Sequence, residues 1–102
     1  MKIKLKRGQI RKDITDFYFI GIDHYDDFDW FLGFFLQRPD TKLIKRLDGI
    51  YSRIAWLDTV EIRYTVIHHE DIGYYSQLSD GDSEENLNKL ELLLNEILET
   101  IF

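Results

Sequence analysis

Three histidines and a dense set of carboxylates are the residues of this 102-residue chain that could do chemistry. His24 stands in the run Asp23-His24-Tyr25-Asp26-Asp27, with Asp29 close behind. His68 and His69 are adjacent and lead into Glu70 and Asp71. If the two stretches meet at strand ends, His24, Asp26, His68 and Glu70 offer ligands of the kind that zinc and non-haem iron take. A regular strand sends successive side chains to opposite faces, so His68 and His69 cannot both reach one ion. Neither an HExxH spacing nor that of a facial triad is present. The expectation is therefore no metal and no cofactor. The alternative is a small metal-dependent or acid–base enzyme using His24, His68 and Glu70.

The carboxylates point elsewhere. Asp23, Asp26, Asp27 and Asp29 match a calcium loop only in density, because the glycine and the distal glutamate of such a loop are missing. A general acid–base pair needs two acids facing each other across a cleft, which four acids in seven residues do not supply. Nucleophile motifs, phosphate loops and dinucleotide-binding glycines are absent. Asp80-Gly81-Asp82, ahead of a helix, carries its own negative charge against any anion. What remains is recognition. Tyr25, Trp30, Tyr74 and Tyr75 lie near the acids at the ends of expected strands. Rings supply contact area and carboxylates supply orientation and speed, the combination that a surface for a basic protein needs. The expected contact set is Asp23, Tyr25, Asp26, Asp27, Asp29, Glu70, Asp71 and Tyr74. Trp30 and Trp56 are assigned to the core.

Charge distribution supports that choice. The first twelve residues hold six of the 13 basic residues and no acid. The other 90 hold seven basic residues against all 19 acids, a balance of −12. So acidic a body repels a nucleic acid backbone and speeds association with a basic protein. No nucleic acid partner is expected. The longest apolar run, Trp30 to Leu36, is far below the roughly 20 residues that cross a bilayer. The basic N-terminus has no apolar region behind it, so it is not a secretory signal. With no cysteine, disulfides and thiolate sites are excluded, and a cytoplasmic protein is expected.

One domain over residues 1–102 is expected from length, with enough apolar residues for one core. The elements that must hold the acidic run follow from periodicity. Lys2 to Lys6 alternate, an edge strand with Ile3 and Leu5 inward and lysines outward, before a turn at Arg7-Gly8. Asp16 to Asp23 is the central strand, apolar on both faces, with Gly21 marking a bulge or a close approach. Phe28 to Leu36 fits a helix through Phe28, Phe31, Leu32 and Phe35, or a strand through alternate residues; aromatic content and Gly33 favour the strand. Asp40 to Ile54 fits a helix through Leu43, Leu47, Ile50 and Ile54, or a hairpin turning at Arg38-Pro39-Asp40-Thr41. Thr59 to His68 alternates as a strand, and Ile72 to Gln77 forms a further short one. Ser83 to Ile101 is an amphipathic helix striped by Leu87, Leu90, Leu94, Ile97, Leu98 and Ile101, with Leu92 and Leu93 widening it. The sum is α+β: an antiparallel sheet of about four to five strands with the C-terminal helix packed on one face.

In being short, acidic, cysteine-free, rich in aromatics and without a catalytic motif, the chain resembles the immunity proteins of bacterial contact-dependent inhibition and related toxin systems. The likeness is one of general character and rests on no shared motif, so it transfers no functional residue. It implies an inhibitor that occludes the positively charged cleft of a nuclease-type toxin domain. A homodimer formed through an edge strand or the surplus leucines of the C-terminal helix is the other partner expectation.

Overall fold

The computed structural model describes residues 2–11 and 13–101, without the side chains of Ile10 and Arg11. Arg11 and Lys12 of the basic N-terminal run therefore lie, as side chains, outside the described residues. The elements in chain order are β1 (Lys4–Arg11), β2 (Ile14–Ile20), α1 (Phe28–Leu36), β3 (Lys42–Asp48), β4 (Ser52–Asp58), β5 (Arg63–His69), β6 (Gly73–Leu78) and α2 (Glu84–Thr100). A single 3₁₀ turn over Tyr25–Asp27 precedes α1. All neighbouring strands are antiparallel, in the order β1-β2-β6-β5-β4-β3. The α+β class stands, with six strands rather than four or five.

Both helices lie on one face. Phe17 and Phe19 of β2, Ala55 and Leu57 of β4, Tyr64 and Val66 of β5 and Tyr74 of β6 meet Phe28, Phe31, Leu32 and Phe35 of α1 and the leucine stripe of α2 in one buried cluster. Aromatic edges knit the layers: Phe19 packs on Phe31 at 4.9 Å and Phe31 on Tyr74 at 5.4 Å, both edge to face. Ser83 caps α2, its side chain accepting from the Asn86 amide at 3.2 Å. The stripe is buried as expected from Leu87 to Leu98, but Leu92 points to solvent.

The opposite face carries no helix. Register places Tyr18, Tyr75, Ile67, Ile54 and Leu47 in a row across it, with Trp56 alongside. That row explains why β2 looked central: its second apolar face is this open one. β2 lies instead beside the edge strand β1, and β6 and β5 are the middle pair.

Other expectations are corrected. Phe28 to Leu36 is helical because Phe28, Phe31, Leu32 and Phe35 fill the core from one face, while a Cβ at Gly33 would meet no neighbour. Asp40 to Ile54 is a hairpin, but the chain reverses at Gly49–Tyr51 between β3 and β4; Arg38–Thr41 joins α1 to β3. β1 runs through Arg7 and Gly8, where a turn was expected. Gly8 lies under the Tyr18 ring, 2.8 Å from where a Cβ would sit. Thr59 to Ile62 is a turn before β5. Gly21 does mark a close approach: its φ is +111°, and a Cβ there would stand 2.6 Å from the Lys2 carbonyl.

Candidate functional site

Three loops converge at one end of the sheet: Asp23–Asp27 before α1, Gly49–Tyr51 between β3 and β4, and Glu70–Ile72 between β5 and β6. Backbone groups tie them together. His68 Nε2 lies 2.9 Å from the Asp23 carbonyl; a carbonyl only accepts, so Nε2 carries a proton and donates, while the buried Nδ1 has no hydrogen-bond partner among the described residues. The Tyr74 hydroxyl donates to the His24 carbonyl at 2.7 Å. The Tyr25 hydroxyl donates to the Gly49 carbonyl at 3.0 Å, and the Glu70 amide to the Tyr51 carbonyl at 2.8 Å.

A cation braces the loop before α1 against the end of β3 from the helix face. Arg53 Nε donates to Asp48 at 3.0 Å, Nη1 to the Tyr25 carbonyl at 3.3 Å, and Nη2 lies 3.5 Å from Asp29. Its guanidinium also sits 4.8 Å from the Tyr25 ring centre and 5.2 Å from that of Phe28. Arg46 binds both Asp29 and Asp48 and lies 5.3 Å from the Phe28 ring centre. The bond to Asp29 is the chief cause holding the Arg46 pKa above its ordinary value. Burial acts to raise the Asp48 pKa, but the hydrogen bonds from Arg53 and Arg46 outweigh it and leave Asp48 below the usual carboxylate range.

The expected contact residues therefore divide. Asp23, Tyr25, Asp26, Asp27, Glu70 and Asp71 are exposed or half-exposed at this end, and none of the five acids has an ion-pair partner among the described residues. Asp29 is exposed but engaged by Arg46 and Arg53. Tyr74 is corrected outright: it is 1% exposed, packed between Phe28, Phe31 and His68, and burial raises its hydroxyl pKa. His68 is also buried rather than a surface histidine, and Trp30 is exposed on α1 against Phe34 rather than core. Among the described residues no three of the histidines and acids converge where they could hold an ion, so His24, Asp26, His68 and Glu70 do not assemble as a ligand set.

Sequence reasoning missed Arg46, Asp48 and Arg53, and the exposed Tyr51 and Ile72 that add apolar area beside the acids. Asp48 faces Arg53 directly across the β3–β4 hairpin, so the correct turn would have revealed the pair. A cleft of about 230 Å³ lies beside the acids, lined by Tyr18, Ile20, Asp23 and Ile72 among others. Searches against family models, curated proteins and solved structures find no match to this chain. No helix among the described residues is long and apolar enough to cross a membrane.

Proposed function

We propose that this protein is an inhibitor of immunity type, which binds a basic protein through the acidic end of its sheet and occludes that protein's active cleft. The observation that carries the reading is the placement, at one end of the sheet, of five carboxylates with no ion-pair partner among the described residues, Asp23, Asp26, Asp27, Glu70 and Asp71, beside the exposed rings of Tyr25 and Tyr51, with the Tyr25 loop braced by Arg53. Carboxylates at the rim speed encounter with a cationic cleft, and the rings and Ile72 supply area that can be desolvated. The loop before α1 is already fixed by hydrogen bonds to His68, Tyr74 and Arg53, so little ordering there remains to oppose binding. The partner class is a nuclease-type toxin domain, because a nucleic-acid-binding cleft is where a protein concentrates positive charge.

The test is capture of the product of the adjacent reading frame by the purified protein at low and high salt, beside an Asp26→Lys, Asp27→Lys double variant. The expected result is one basic partner whose association rate falls with salt and falls by about tenfold or more in the variant. Binding equally strong at both ionic strengths, or unchanged in the variant, would refute the reading.

A further inference from the structure

We propose that β3 is the interface with a second copy of this chain, paired edge to edge and antiparallel about a two-fold axis through Leu47. The two edges of the sheet differ in kind. β1 presents Lys4 and Lys6 and no acid, so a copy laid against it meets like charge. β3 is exposed along its length and carries Leu43, Ile44 and Leu47 into solvent, with Ile50 just past its end. Leu47 is 53% exposed and Ile50 85% exposed. An edge strand this apolar is a template for another strand.

The register follows from the hairpin. Gly49 donates its amide to the Ser52 carbonyl at 2.7 Å, which sets the phase of the ladder. Residues of an antiparallel pair alternate between bonding their neighbour and facing outward. Leu47, opposite Ile54, therefore bonds β4. Arg46 and Asp48, opposite Ala55 and Arg53, turn their amides and carbonyls to the open edge. A two-fold axis at Leu47 makes Arg46 and Asp48 the bonding pairs: Arg46 faces the partner's Asp48, and Asp48 faces the partner's Arg46. Arg46 and Asp48 are already paired within each chain, and the register carries that alternation of charge across the seam twice, with no like charges opposed. Leu47 meets the partner's Leu47 in the closer, non-bonded type of pair, extending the apolar row Tyr75, Ile67, Ile54, Leu47 into the second sheet. Two features that would guard the edge are out of the way. The irregularity between Leu43 and Lys45 lies at the far end of the paired segment, and the Lys45 ammonium is folded back 5.1 Å from the Trp56 ring centre.

The test uses the protein alone and is independent of whether it inhibits anything. Sedimentation equilibrium over about a hundredfold range of concentration should give a monomer–dimer equilibrium, and amide exchange at Arg46 and Asp48 should slow as the dimer fills. Leu47→Glu sets two like charges together at the axis and should give a monomer with an unchanged far-ultraviolet spectrum. A wild-type monomer throughout the range would overturn the proposal. So would a dimer that survives Leu47→Glu, or one in which the Arg46 and Asp48 amides exchange as fast as in the monomer.

Discussion

Replacing Arg53 with Ala should loosen the acidic end. The Arg53 side chain is 13% exposed, although its partners Asp29 and Asp48 are well exposed, so the two ion pairs are screened and contribute at most about 0.5–1 kcal/mol each. The charge-assisted bond to the Tyr25 carbonyl adds about 1.5 kcal/mol or more. The guanidinium over the Tyr25 and Phe28 rings adds about 1 kcal/mol. Its buried methylenes contribute roughly 0.8 kcal/mol apiece at most. These contributions share one side chain and are not additive, so the expected cost is about 2–4 kcal/mol. In a domain of this size that lowers Tm by roughly 10–25 °C. Arg53→Lys keeps the charge but loses the fork that reaches Asp48, Asp29 and the Tyr25 carbonyl together, and should recover less than about half of the loss. Urea unfolding of the three proteins, with amide exchange across Asp23–Asp27, measures both effects. A loss below about 0.5 kcal/mol for Arg53→Ala, or full recovery by Lys, would show that the brace described here does not hold the loops.

Leu94, wholly buried beneath α2, should cost about 2–5 kcal/mol when cut to Ala, whereas Leu92→Ala on the solvent side should stay within about 0.5 kcal/mol; denaturant melts of the pair check the helix phase. Burial, then the hydrogen bond to Asp16, lifts the Tyr18 pKa from 10.0 to about 12. A proton held more tightly when folded stabilises the fold fully below pH 10 and is lost as pH rises through about 12, so unfolding free energy should decline across that window. Tyr18→Phe should flatten this decline while lowering stability by about 1–3 kcal/mol at neutral pH, since buried Asp16 then keeps only the Gln77 donor.

Where one periodicity excluded the other, the sequence found the element but not its bounds: β1 starts at Lys4 and runs on to Arg11, and β5 starts only at Arg63. The leucines of α2 recur only at helical spacing, and Lys2 to Lys6 only at strand spacing. Phe28 to Leu36 satisfied both, because nearly every residue is apolar. Local preference favoured a strand, but the four positions that the core accepts, Phe28, Phe31, Leu32 and Phe35, are those of one helix face. Asp40 to Ile54 failed for the opposite reason. Leu43, Leu47 and Ile50 fell at helical spacing, yet all three are solvent-exposed in the fold, so that periodicity recorded no buried face. The acids of the candidate site were legible because they lie close in sequence. The arginines that brace them were not, since Arg46 and Arg53 reach Asp29 only through the register of a hairpin whose turn the sequence left unplaced.

The fold also separates carboxylates that the sequence treats alike. Asp29 and Asp48 act within the structure, each shared between Arg46 and Arg53. The loop before α1 is held instead by its carbonyls: Asp23 by His68, His24 by Tyr74, and Tyr25 by Arg53. An acidic turn whose purpose was local would use its side chains for those bonds, as aspartates commonly do when they cap or close a turn. Here neither Asp26 nor Asp27 supplies a capping bond to the helix that follows. Their charge supplies no such bond and lies at the same end of the sheet as Asp23, Glu70 and Asp71, a concentration of negative charge that a cationic partner would offset.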